Sequence, residues 1–328
     1  NFTLNGAALT SASLTFQVIS ASGTVAMSFG AMTGDLVVGK ISTLSDITLS
    51  GEIANGLGMT IGDLSASGIS ISLGEVSDTS NNFSASVIDA QNFTMKATDF
   101  RDSINLHHVS AASAVTITVG DSTDDLTISS LTSELFTLNG GDGDTFSATI
   151  SSANIGGSAW TISMPEMGGG LKLVDYSWSG NGTIRGTDAA DVISASATMA
   201  AGVQKTIDID LREDSAADLI NLTGTAGATY AILRNFDSGE DKVGIDATAA
   251  GMNNIAITAA AAMITTVLGT TLTASDIASA ATSLYTYNSD TYFVSDEEGV
   301  TGSFGNGDFV IRFVGVSDIL HSDISVDA

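Results

Sequence analysis

The residues of this sequence that can do chemistry are mostly aspartates set close to glycines. There is no cysteine, and the only histidines are His107, His108 and His321. Without thiolates there is no disulfide framework and no soft-metal site. No His-Glu-x-x-His run occurs, and adjacent His107 and His108 on a strand would point to opposite faces, so they cannot share a metal. What remains is carboxylate chemistry. Asn139-Gly140-Gly141-Asp142-Gly143-Asp144 is a Gly/Asp loop between two strands, in which Asp142 and Asp144 suit Ca²⁺ and a plain turn equally. Asp188 and Asp191, Asp214 and Asp218, and Asp237 and Asp241 fall in turns that flank buried aliphatics, with few cations nearby. Bringing such acids together costs repulsion unless a divalent ion replaces the missing lysines. Calcium fits because its flexible shell of oxygens, at about 2.3–2.6 Å, accepts carboxylates and backbone carbonyls together. These eight aspartates are the candidate metal ligands. No catalytic group and no organic cofactor site is expected.

The charge balance narrows the partners. With 37 acidic against 10 basic residues the formal net charge is −27, although only 14% of residues are charged. That excludes the basic footprint of a nucleic-acid binder and a polybasic membrane patch. Disorder is excluded by the 43% apolar content, which alternates strictly. No apolar run reaches the ~18 residues of a membrane span; the Ala-rich stretch from Ile255 to Leu268 is shorter and broken by threonines. The sequence opens inside a repeat, which reads as a mature or truncated chain.

The elements that must position these acids are written as a repeat. Phe2-Thr3-Leu4, Val25-Ala26-Met27, Ile47-Thr48-Leu49, Ile69-Ser70-Ile71, Phe93-Thr94-Met95, Val115-Thr116-Ile117, Phe136-Thr137-Leu138 and Trp160-Thr161-Ile162 all read apolar, small, apolar, at spacings of 21 to 24 residues. A second series travels with it: Leu14/Phe16, Leu36/Val38, Met59/Ile61, Phe83/Ala85, Ile104/Leu106, Leu126/Ile128, Phe146/Ala148 and Leu171/Leu173. Two apolar series locked to one period of about 22 residues predict an all-β parallel solenoid over residues 1–178, with two short strands and Gly/Asx turns in each of about eight coils. A β-sandwich is the rival, but it does not require a constant period.

The texture changes after Trp178. Gly182-Thr183-Ile184-Arg185-Gly186-Thr187-Asp188-Ala189-Ala190-Asp191-Val192-Ile193 resembles the calcium-binding nonapeptide of RTX proteins, with Gly186, Asp191 and Ile193 on the template and Thr187 and Ala189 replacing glycines. Glu213-Asp214-Ser215-Ala216-Ala217-Asp218-Leu219-Ile220 is a second degenerate copy that puts Asp218 and Ile220 in the same roles. Leu233 to Asp246, with Phe236-Asp237-Ser238-Gly239-Glu240-Asp241-Lys242, is similar to the segment that follows such repeats. Residues 179–250 are therefore expected to form a degenerate RTX-like calcium-binding β region. Residues 251–328 are expected to hold a short helix starting at Thr273-Ala274-Ser275-Asp276 and a β-meander through Leu284–Val294 and Asp308–Val316.

The resemblance to RTX-type surface and S-layer proteins implies a function. It implies a secreted, calcium-stabilised structural subunit that self-assembles into an extracellular lattice, and a C-terminus addressed to type I secretion. Cell-surface polysaccharide is a further expected partner. An adhesin or biofilm-matrix filament is the alternative; it calls for an exposed aromatic platform, for which Trp160 and Trp178 are the sole tryptophans. A secreted polysaccharide-active enzyme is the third class, and the three histidines supply it no catalytic group with a placed acid.

Overall fold

The computed structural model describes residues 1–6, 13–32, 34–53, 58–75, 82–97, 102–120, 123–141, 146–165, 169–197, 205–224, 229–246, 282–287, 289–295, 309–316, 319 and 323–327. All the elements in these residues are strands, apart from turns and bends. They are β1 (Phe2–Gly6), β2 (Leu14–Ala21), β3 (Val25–Met32), β4 (Leu36–Thr43), β5 (Asp46–Ile53), β6 (Gly58–Glu75), β7 (Asn82–Ala97), β8 (Asp102–Val119) and β9 (Thr123–Asn139). There follow β10 (Ser147–Ile150), β11 (Ala153–Ile155), β12 (Ala159–Ser163), β13 (Gly170–Trp178), β14 (Asn181–Arg185), β15 (Val192–Ala197), β16 (Lys205–Asp210), β17 (Leu219–Gly224), β18 (Thr229–Arg234) and β19 (Lys242–Asp246). β20 (Thr282–Tyr287), β21 (Asp290–Ser295), β22 (Phe309–Val314) and β23 (Ile324–Asp327) complete the set. The predicted helix start at 273–276, the loop aspartates Asp142 and Asp144, and His321 lie outside the described residues.

The strands wind into a parallel β-solenoid, as the period requires. Phe2, Val25, Ile47, Ile69, Phe93, Val115, Phe136 and Trp160 stand in register as one interior column. Alternation explains it: on a strand every second side chain faces inward, so apolar residues two apart bury while the Thr or Ser between them faces out. The outward residues form their own ladder, running Thr48, Ser70, Thr94, Thr116, Thr137, Thr161 and Thr183.

The second column departs from the expected register at one place. Leu126 pairs with Ala148 and Ile128 with Ile150, and these pair onward with Leu171 and Leu173. The rung is Ala148/Ile150, not Phe146/Ala148. Phe146 is fully buried too, because a slip of two residues keeps the same parity, and hydrophobicity alone cannot see it.

Each coil also has a third inward column, which the two-strand reading missed. It runs Ile19, Ile41, Leu64, Ile88, Val109, Leu131, Ala153 and Tyr176. Between the second and third columns two successive residues face away from the core, so the strand bends there. His107 and His108 occupy such a bend and are both exposed, rather than on opposite faces.

The parallel pairing runs straight across residue 178. Trp160 pairs with Gly182, Gly182 with Ile207, Ile207 with Ala231 and Ala231 with Ile311. Trp160 needs the glycine: a Cβ on Gly182 would stand 1.9 Å from indole Cζ2. The indole packs on Tyr176 and Trp178 at ring-centre distances of 5.0 and 6.1 Å. At the far end β22 pairs parallel with β18 and antiparallel with β21, which pairs antiparallel with β20. The expected meander is therefore present, and it is built onto the last coil rather than beside it. β23 covers β19 in the same way.

A ladder of this kind stands or falls as a unit. Ile117 is fully buried between Met95 and Leu138 on the neighbouring coils. Ile117→Asp puts an unpaired carboxyl in the dry interior and is expected to cost several kcal/mol. Ile117→Val should cost only about 1 kcal/mol. Urea melts of the two variants check the difference; equal midpoints would contradict the buried ladder.

Candidate functional site: a buried aspartate ladder

The second column changes its chemistry after Leu171. Lys172 pairs with Val192, Val192 with Leu219 and Leu219 with Lys242, so Asp191, Asp218 and Asp241 succeed one another on the rungs next to Leu171. A position that carries hydrocarbon from Leu14 to Leu171 carries carboxylate from there on. All three aspartates are buried, at 0, 3 and 2% exposure. Two residues further on, Ile193, Ile220 and Val243 continue the apolar wall in register. The two degenerate repeat copies thus stack on each other. A third Asp-x-aliphatic triplet, Asp241-Lys242-Val243, stacks beneath them.

The carboxylates are held by backbone amides. Leu171 N–H donates to Asp191 Oδ1 at 2.6 Å, Asp191 N–H to Asp218 Oδ1 at 2.8 Å, and Asp218 N–H to Asp241 Oδ1 at 2.9 Å. Each aspartate therefore caps the amide of the coil before it. The second oxygen closes a turn in its own coil: Thr187 N–H donates to Asp191 Oδ2 at 3.0 Å, and Asp237 N–H to Asp241 Oδ2 at 2.7 Å. The Thr187 hydroxyl adds a bond to Asp191 Oδ1 at 3.1 Å. Gly186 makes room for this arrangement, since a Cβ there would stand 2.0 Å from Asp191 Oδ2. Beside the ladder, Arg212 is buried and donates to the Gly186 and Met164 carbonyls.

Electrostatics make this column costly when ionised. Two carboxylates one strand spacing apart repel by about 3 kcal/mol at an effective dielectric of ~20. Burial is the first cause that raises these carboxyls. It pushes the Asp191 carboxyl up to about 6 against the pull of its three donors, and Asp218, with one amide donor, up to about 8. Burial raises Asp241 as well, with Asp214 and Asp237 adding to it.

The remaining predicted ligands sit on the outer side of the ladder. Asp188 and Asp237 are exposed and Asp214 is half-buried. Asp214 Oδ1 accepts the Ala216 amide, but Oδ2 is shielded from solvent with no hydrogen-bond partner. Burial raises its pKa, and the charges of Asp188, Glu240 and Asp237 raise it further. Among the described residues no three His, Cys, Asp or Glu side chains converge as a preformed metal-holding group. Both oxygens of Asp191 and of Asp241, and Oδ1 of Asp218, already accept amides, which makes them poor ligands. Asp214, with an orphaned oxygen in a field of acids, has the donor chemistry a cation needs.

Sequence reasoning did not pick out Asp323, which is fully buried. It accepts from Ser238 Oγ at 2.7 Å, from Gly239 N–H at 3.2 Å and from Lys242 Nζ at 2.8 Å. It fastens the C-terminal segment to the turn that precedes β19. Only its place before the apolar-alternating Ile324-Ser325-Val326 hinted at a role. Trp160 and Trp178 are buried, at 3 and 1% exposure, so neither offers a carbohydrate platform.

The pH dependence follows from the signs. Folded-state values above the unfolded 3.8 mean that the folded chain keeps protons the unfolded chain has released. Stability is then lost as pH rises, through about 6 for Asp191 and about 8 for Asp218. In calcium-free buffer the urea midpoint should fall from pH 4 to pH 8. Asp218→Asn, which keeps the acceptor oxygen, should flatten the part between pH 6 and 8. A wild-type midpoint that rises over this window would contradict the assignment.

No protein-family model matches the chain, and no curated protein or solved structure is significantly similar to it.

Proposed function

We propose that the protein is a structural subunit of an extracellular surface layer, self-assembling and stabilised by calcium. The observation that carries this reading is where the chemistry sits. The dense acidic groups are built into the wall of one continuous sheet, in the turns that join its coils, and serve the stacking itself. The RTX-like segments at 182–193, 213–220 and 233–246 support the same reading, because their Asp-x-aliphatic triplets lie on successive coils. The adhesin alternative called for an exposed aromatic platform, and both tryptophans pack inside.

Calcium enters at Asp214 in this proposal; Asp188 and Asp237, whose charges act on it from the adjoining turns, would close in on the ion, since the three carboxylates do not converge without it. When bound there, the ion would offset the mutual repulsion of these acids and add its binding energy to the folded state. Asp191, Asp218 and Asp241 act as amide acceptors behind it. Melts in EGTA and in millimolar calcium test this. A rise of many degrees with calcium is expected for the wild type, and Asp214→Asn should blunt most of it. Asp191→Ala is the wrong probe, because it orphans the Leu171 and Thr187 amides and destabilises the fold with or without calcium. Coincident melts would remove calcium from the proposal. Electron microscopy of concentrated protein should show sheets or filaments; dispersed monomers under all conditions would overturn the assembly reading.

Type I export is the second part of the proposal, and it rests on the RTX-like C-terminal resemblance. Deleting residues 284–328 would be a confounded test, because it removes β22 and β23 from the last coil. Fusing residues 251–328 to a carrier protein, in a host with a type I exporter, separates address from fold. The carrier should appear in the medium, and retention in the cell would count against this route.

A further inference from the structure

One corner of the solenoid, where the chain passes from the third column to the next turn of the first, is concave. Two cavities of about 310 and 430 Å³ overlap there, sharing Asp89, Ala90 and Ala112. The sequence makes the hollow. Two residues beyond the third column, the inward position is Ala66, Ala90, Ala111 and Ser133 on successive coils, before Ile155 and Trp178 fill it. Small side chains let the wall sink there. The rim is built from outward residues: Asp89, Ser110, Thr132 and Asn154 in register on successive coils, with Gln91 and Glu134 where the chain turns into the first face. The carboxylates Asp89 and Glu134 and the amides Gln91 and Asn154 are exposed, and their side chains make no hydrogen bond or ion pair with the described residues. The floor supplies a second observation. Ser133 lines the hollow and is only 4% exposed, yet its Oγ has no hydrogen-bond partner. Its column neighbours Ala111 and Ile155 have no side-chain partner to offer. No basic side chain and no aromatic ring lines either cavity.

We propose that this groove binds an extended glycan carrying free amino groups, of the glucosamine type. The inference rests on the surface-layer reading, with its expected cell-surface polysaccharide, and gives that partner a site and a chemistry. The groove runs across the strands, along the coil axis, for about 24 Å from Leu44 to Gly156 at one strand spacing per coil. That length suits a chain molecule. A peptide gains little here, because the backbone groups of these coils are already paired coil to coil and no strand can be added along the groove. An acidic polymer is repelled by the net charge of −27. A polyhydroxylated chain can use the hydroxyls and amides of the rim. Only a cationic group on it answers Asp89 and Glu134, which stand two coils, or about 10 Å, apart along the axis. Ammonium-to-carboxylate hydrogen bonds are the strong ones in such a contact. With no ring to stack against, each sugar is held weakly, and affinity comes from repetition along the groove.

Calorimetric titration with a glucosamine hexamer in slightly acidic buffer tests it. Asp89→Asn with Glu134→Gln should weaken binding by roughly tenfold or more. Ala112→Gln, which narrows the groove without touching its charge, should weaken it too; Ala112 is exposed and lines both cavities. Glu52→Gln with Asp63→Asn removes two acids outside the groove and should bind as wild type does. Thermal melts establish that each variant folds. The N-acetylated hexamer keeps the hydroxyls without the charge, and a lysine hexamer keeps the charge without the hydroxyls; both should bind more weakly than the glucosamine hexamer. Equal losses in the groove pair and the control pair would reduce the binding to general acidity and overturn the site. An N-acetylated hexamer held as tightly would overturn the amino-group assignment, and a lysine hexamer held as tightly would overturn the glycan. No binding at all overturns the proposal, and sheets or filaments of the same protein in the electron microscope would leave the surface-layer reading standing. Binding by protein that never assembles would keep the site and remove the lattice.

Discussion

In-register stacking, with each residue type set on its own kind one strand spacing away, is the constraint on which everything else in this protein depends. A coil cannot bury its apolar side chains alone; it does so against the coils on either side. For hydrocarbon this multiplies a gain. From Leu14 to Leu171, each rung of the second column removes apolar surface from water on both sides.

The same rule turns against the protein when the stacked group is a carboxylate. Asp191, Asp218 and Asp241 follow Leu171 on that column and gain something leucine cannot: each accepts the amide of the preceding coil and two of them close a turn. The accompanying cost is desolvation and like-charge repulsion, which push all three carboxyls above their ordinary range. A proton on Asp218 relieves it, and under the calcium proposal a cation near Asp214 would do the same. The basic side chains that do approach are used to fasten strands: Arg234 on Asp208, Arg312 on Asp290 and Lys242 on Asp323.

The C-terminal strands show how such a stack is brought to an end. An exposed last coil would leave a row of unpaired backbone groups. β22 takes that row on the first face, then turns the sheet antiparallel through β21 and β20. Asp290 accepts both Nε and Nη2 of Arg312 and the Gly315 amide, which fixes the turn. At the other end β1 and β2 are paired on one side, with β3 and β4.

Much of this was legible before any coordinates, and the limits have physical reasons. Apolar-x-apolar triplets at a 22-residue period determined the solenoid and the whole first column, because parity and period together leave one way to stack them. The third column stayed hidden because its second positions are small: Ala66, Ala90, Ala111 and Ser133 do not announce burial. The Phe146 slip stayed hidden because a shift of two residues preserves facing. The aspartates were visible as a group, and Asp-x-Ile marked two of the ladder positions. Only the tertiary structure decided what they do. Whether a buried carboxylate ligates an ion or caps an amide depends on what lies one coil away: the Leu171 amide for Asp191, the Asp191 amide for Asp218 and the Asp218 amide for Asp241. That neighbour is some 20 to 27 residues distant in sequence and one strand spacing distant in space.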